Sequence, residues 1–237
     1  MITKIPYESL GHVQTSWLDA RHHFSFGYYN NPERVHFGAL RVVNDDTVAP
    51  KAGFDDHPHQ NMEIITFIRE GVLTHKDSLG HKGTIKAGDV QVMSAGAGIV
   101  HAELNDGDDP VRLYQIWIMP KEKNTQPKYA QRSFRGDTVK NGMTLLASGM
   151  ADDKESDALY IHQNAAVWSG QLDVGTEVEQ KLRQSAYVLA SHGTVTVNGV
   201  ELKKGDAAEV TGQTSISITA NDNAEVLVLE IPEKLNS

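Results

Sequence analysis

Cysteine is absent from all 237 residues, which removes disulfides, thiolate nucleophiles, zinc fingers and iron–sulfur ligation at once. Any metal must therefore rest on His, Asp or Glu. Basic residues are also short: 22 Lys and Arg face 31 Asp and Glu, a net charge of −9 with the 11 His counted neutral. No Lys or Arg cluster offsets that balance, so direct binding of nucleic acid or of an anionic membrane is not expected. No apolar run approaches the roughly 18 residues of a membrane-spanning helix. The first ten residues mix Lys4 and Glu8 into a short apolar set without a signal-peptide core, and the expected compartment is the cytoplasm.

Helical periodicity is missing as well: no long segment keeps apolar residues at i, i+3, i+4 and i+7. What the chain holds instead is short apolar stretches punctuated by Gly, Asn and Asp, which reads as β structure. With 39% apolar and 22% charged residues it can bury a core, and its length favours two domains of about 100–200 residues or less. Glu63 to Ile68 is a β-branched and aromatic run that leads through Glu70-Gly71 into a second strand and a turn at Asp77 to Gly80. Leu113 to Met119 is a further strand stopped by Pro120. The polar stretch Lys121 to Asp137 reads as a linker, dividing the chain into domains at 1–135 and 136–237. Beyond it, Thr194 to Val200 alternates into Asn198-Gly199, the pair suited to a two-residue type I′ hairpin. Val226 to Ile231 reads as a strand buried on both faces. The step Ala87-Gly88-Asp89 has an echo in Lys204-Gly205-Asp206, a sign of internal duplication.

Ligand-type residues concentrate in His57-Pro58-His59 and His101-Ala102-Glu103. In an extended chain residues i and i+2 share a face, so two such pairs on neighbouring strands would offer three imidazoles and one carboxylate to one ion. Either pair alone reads equally well as solvated or merely hydrogen-bonded histidine. Glu63, of the same parity as His57 and His59, stands as a reserve ligand or a partner of one. An N and O donor set of this kind suits Fe, Mn, Ni, Cu or Zn. His22, His23, His36, His75, His81, His162 and His192 read as surface or locally hydrogen-bonded groups, and Trp17, Trp117 and Trp168 as packing residues.

The string His57-Pro58-His59 with Glu63 and Gly71, then His75 to Gly80, Gly88 to Gln91 and Ser94 to Glu103, resembles the pirin family of the cupin superfamily. The likeness extends to Phe24 to Tyr29, Leu40 to Asp46 and Gln115 to Ile118, and is fainter in the C-terminal half. It implies an all-β bicupin: two jelly-roll-like cupin β-barrels packed against each other, with metal only in the first, on His57, His59, His101 and Glu103. Setting Gly193 against Gly71 places Glu179 and Lys181 where His57 and His59 stand, so the C-terminal barrel is expected to lack ligands. The resemblance favours iron(II) and implies a quercetin 2,3-dioxygenase-like reaction, in which O2 opens a flavonol with release of carbon monoxide. Glu103 would be ligand and catalytic base. Phe54, Gln60 and Met62 would contact the aromatic substrate, with Met93 more at home in the core. The alternative implied by the family is a metal- or redox-sensing regulator of a protein partner, such as a transcription factor or a metabolic enzyme.

Overall fold

The computed structural model describes residues 1–234, and among them the only helical pieces are two single 3-10 turns, Tyr7–Ser9 and Ala151–Asp153. Among the described residues no helix is long and apolar enough to cross a membrane. Everything else regular is strand, arranged as two barrels of the same plan, each a seven-stranded sheet facing a four-stranded one.

In the first barrel the large sheet runs Lys128–Ser133, Asp89–Ser94, Glu63–Glu70, Val111–Ile118, Leu40–Val48, Leu18–His22, Gly11–Gln14. Its small sheet runs Ala52–His59, Ile99–Asn105, Val72–Asp77, Lys82–Lys86. The second barrel repeats this order with Ile2–Ile5, Ala207–Val210, Ser185–His192, Ala224–Ile231, Ala166–Leu172, Met143–Ser148, Leu159–Tyr160 opposite Glu177–Lys181, Ser215–Ala220, Val195–Val197, Val200–Leu202. The all-β bicupin expected from the sequence is the fold observed.

The central strands are buried on both faces, which explains their unbroken apolar runs. In Glu63–Glu70 the residues Ile64 and Ile68 face their own barrel, while Ile65 and Phe67 join a layer between the barrels with Tyr114, Ile116, Tyr187, Leu227 and Leu229. The barrels are therefore held by apolar sheet-on-sheet packing, worth about 25 cal/mol per Å² removed from water. The hairpin expected at Asn198-Gly199 is present, with φ of 43° and 84° at those two residues, as a type I′ turn requires.

Two expectations need correction. The polar stretch after Pro120 is not all linker, since Lys128–Ser133 pairs with Asp89–Ser94 as an edge strand whose side chains are mostly exposed. The first strand, Ile2–Ile5, pairs with Ala207–Val210 in the second barrel's sheet, so a division at residue 135 is crossed by the N-terminus.

Candidate metal centre

His57 and His59 stand on Ala52–His59, and His101 and Glu103 on the adjacent strand Ile99–Asn105, with His57 directly opposite His101. A register shift between His101 and Glu103 sets Glu103 opposite Phe54. The three imidazoles converge, with ring centroids 4.5 to 4.9 Å apart, and their donor nitrogens lie within 4.8 Å of one another. Glu103 falls in a second group on the same limit, with His101 and His75. His101 thus belongs to both groups, and the four residues singled out from the sequence form one contiguous cluster with His75 added to it.

Local bonding prepares these groups to accept a cation. His57 donates from Nδ1 to the Asp55 carbonyl at 2.7 Å, which leaves the Nε2 lone pair free. Nε2 of His59 and both ring nitrogens of His101 are buried without a hydrogen-bond partner. Burial, reinforced by neighbouring imidazoles, pushes His101 down to about 3 and His59 to about 4, so both are neutral, the form a metal binds. Unpartnered, neutral imidazole nitrogens beside a carboxylate fit one divalent ion.

Glu103 is held by a row of polar residues that crosses the large sheet. Thr66 pairs with Gln91 on one side and Gln115 on the other, Gln115 pairs with Asn44, and Asn44 with His22. Oε1 of Glu103 accepts from Gln91 at 2.8 Å and from the Thr66 hydroxyl at 3.0 Å, and Oε2 accepts from Gln115 at 2.7 Å. A carboxylate has about four lone-pair positions, so the one still free is on Oε2.

The cluster opens into a cavity of about 170 Å³ walled by Leu18, Phe26, Phe54, Ile64 and Trp117, and lined also by His22, Asn44 and Asp46. Burial, together with Asp45 and Glu103 nearby, raises the Asp46 carboxyl well above the usual carboxylate range. Of the residues expected to meet substrate, Phe54 lines this cavity. Gln60 instead borders an open groove on the outer side of His59, and Met62 packs with Ile64, Met93 and Ile99. A larger cleft of about 590 Å³ between the barrels is an ion-paired surface, in which Arg69, Arg112 and Lys140 already meet Asp45, Glu70 and Asp173.

Several histidines differ from expectation. His75 is fully buried, bonded through Nε2 to Asp77 at 3.0 Å and stacked on Tyr129; Asp77 in turn bonds the exposed His81 at 3.0 Å. His75 pairs across the sheet with Glu103, a register invisible in the local sequence. His22 and His23 are buried too, His23 against the Tyr187 hydroxyl at 2.9 Å. Trp117 packs as expected, yet its ring also meets His59 edge-on at 4.8 Å. Glu63 faces away from the cluster, where Oε2 accepts from Ser94 at 2.7 Å and from the His162 backbone at 3.0 Å. Asn61, with φ of 52°, breaks the extended chain between His59 and Glu63, so the shared parity does not carry over.

The pirin family model matches residues 5–118, and a model described as quercetinase C-terminal cupin domain matches residues 145–231. A pirin-like protein of Caulobacter vibrioides is 45% identical over 232 residues, spanning 97% of this chain and 99% of that protein. The quercetin 2,3-dioxygenase of Escherichia coli K12 is 39% identical over 228 residues, spanning 94% and 95%. Among solved structures, the bacterial pirin YhhW of Escherichia coli in complex with nickel(II) superposes with a TM-score of 0.91 at 36% identity, over 98% of this chain and 99% of that one. Two barrels of one strand order, a histidine cluster in the first, and similarity running through both establish that this chain belongs to the pirin family.

Proposed function

We propose that the protein is a metal-dependent dioxygenase of the quercetin 2,3-dioxygenase type, which opens a flavonol with O2 and releases carbon monoxide. The ion is held by His57, His59, His101 and Glu103, and iron(II) is the metal proposed. The observation that carries this reading is the convergence of unpartnered imidazole nitrogens and a fixed carboxylate on the wall of an aromatic-lined cavity. The name of the quercetin 2,3-dioxygenase relative from Escherichia coli K12, matched over 95% of its length, supports the same reaction class.

When bound, the metal would act as a Lewis acid toward the flavonol oxygen and as the site of O2 activation. The protein supplies orientation, exclusion of water and a place for one proton. Phe26, Phe54 and Trp117 offer ring faces and edges to a planar substrate. The proton of the 3-hydroxyl passes to Oε2 of Glu103, the oxygen with spare acceptor capacity. The same oxygen would hold the ion when metal is bound, so this one carboxylate would serve both as ligand and as proton acceptor. Gln91, Thr66 and Gln115 keep its carboxylate in register during both.

Elemental analysis of protein purified without added metal, followed by oxygen consumption with quercetin on iron-loaded protein, tests this reading. Turnover that needs metal and disappears in His101→Ala is the expected result. A protein without bound metal, or a loaded protein silent across a flavonoid panel, overturns it.

A further inference from the structure

The polar row that holds Glu103 does not stop where Glu103's partners stop. Gln91, Thr66 and Gln115 donate to the carboxylate, but the row continues across two more strands to Asn44 and His22. Asp46 lies two residues beyond Asn44, on the same face of Leu40–Val48. These three side chains are 95% or more buried, at 5% exposure for His22, 3% for Asn44 and 3% for Asp46. Nonetheless Nδ1 of His22, Oδ1 of Asn44 and Oδ1 of Asp46 have no hydrogen-bond partner. All three residues line the cavity onto which the histidine cluster opens.

A buried polar atom left unbonded costs about 1–3 kcal/mol, and three on one wall are costly where apolar side chains would fit. Such groups are retained when a ligand completes them. A carboxamide, an imidazole and a carboxyl group together present donors and acceptors, which matches hydroxyl groups, themselves both. Strands are about 4.8 Å apart, so Asn44 stands about one strand and His22 about two strands beyond the residue bonded to Glu103. That is the span of an aromatic ring with oxygens on opposite edges. The rest of the cavity wall is apolar or aromatic, suited to the ring itself.

We infer that His22, Asn44 and Asp46 form a hydroxyl-recognising wall that orients an aromatic substrate by a ring hydroxyl remote from its metal-binding oxygen. The inference rests on the proposed function in placing the substrate in this cavity, and it adds the chemical class selected there: rings with two separated oxygens over rings with one.

Dissociation constants measured without O2 on metal-loaded protein test it with two probe pairs, quercetin against 3-hydroxyflavone and hydroquinone against phenol. Quercetin carries four hydroxyls more than 3-hydroxyflavone, and hydroquinone one more than phenol; in both pairs the oxygen proposed to meet the metal is common to the two members. The wild type should prefer the more hydroxylated member of at least one pair by about tenfold. Asn44→Leu and His22→Phe should bring that ratio near one, with metal content unchanged and the thermal midpoint equal or higher, because an unbonded polar group has been removed. A structural role predicts the opposite, a lower midpoint with the ratio preserved, and that result overturns the inference. So does a wild type without preference in either pair. If hydroquinone obeys the pattern while quercetin is neither bound nor consumed, the wall stands and the flavonol assignment falls.

Discussion

The first and second barrels share a strand order and even a pairing register, but their interiors are built from opposite materials. In the second barrel Val188 pairs with Ala208 and Val228, and Val228 with Trp168, just as Thr66 pairs with Gln91 and Gln115, and Gln115 with Asn44. The polar row of one barrel is thus an apolar row in the other. Ile216 and Ile218 point inward from Ser215–Ala220, the strand equivalent to the one bearing His101 and Glu103. Glu179 and Lys181, the counterparts of His57 and His59, are exposed. The second interior is one continuous apolar cluster. The first is split into two smaller ones with the polar belt between them. Stability of the pair therefore rests on the second barrel and on the layer between the sheets, which leaves the first free to carry unbonded polar groups.

The largest effect that tests this contrast is on metal. His101 belongs to both donor groups, so His101→Ala should lower metal affinity by more than about 100-fold, while removing the carboxylate's support in Gln115→Leu should cost about 10- to 100-fold. Metal content after dialysis against a competing chelator measures both. A Gln115→Leu protein that binds metal as tightly as wild type would show that the polar row does not hold the ligand.

The converse exchange tests the apolar side. Val228 is completely buried, and Val228→Gln would place an amide in the second barrel with no carboxylate to meet it. A loss of about 3 kcal/mol or more is expected from burial of the unpaired amide and from overpacking, read from denaturant midpoints. A loss below about 1 kcal/mol would mean that the second interior tolerates polarity and that the asymmetry is not energetic.

What was legible beforehand follows the same divide. The i, i+2 spacing located His57, His59, His101 and Glu103 because strand alternation is a local property. The Asn198-Gly199 hairpin was legible for the same reason. His75, the polar row and the buried His22 and His23 were not, since each owes its setting to cross-strand register between segments distant in the chain. Lys128–Ser133 escaped because an exposed edge strand carries no hydrophobic alternation. The N-terminal strand escaped because nothing in Ile2–Ile5 says which barrel's edge it will complete.

Glu63 gives a pH test of the layer between the barrels, where its counterpart counted from Gly71 and Gly193 is Ser185, a group that does not titrate. Burial raises the Glu63 carboxyl from an ordinary 4.5 to about 7. The folded protein therefore keeps a proton that the unfolded chain gives up, and stability should fall as pH rises from about 4.5 through 7. Glu63→Gln should flatten this decline, by up to about 3 kcal/mol at pH 8, in denaturant titrations across that range. An unchanged slope would place the pH sensitivity elsewhere.

The smallest effect distinguishes the two barrels at a shared turn. Gly88 and Gly205 occupy equivalent positions with φ of 83° and 88°, so an alanine is strained by about 1 kcal/mol at either. The surroundings differ. A Cβ at Gly88 meets the flexible Arg135 side chain, whereas at Gly205 it meets the ring of Tyr7. Tyr7 cannot retreat freely, because its backbone donates to Asp206 at 2.9 Å and Lys4 pairs with the same carboxylate at 2.7 Å. These contacts fasten the N-terminal segment to the second barrel at this very turn. Gly205→Ala should therefore cost about 1–2 kcal/mol more than Gly88→Ala, and equal losses would show that the N-terminal strand is not anchored there.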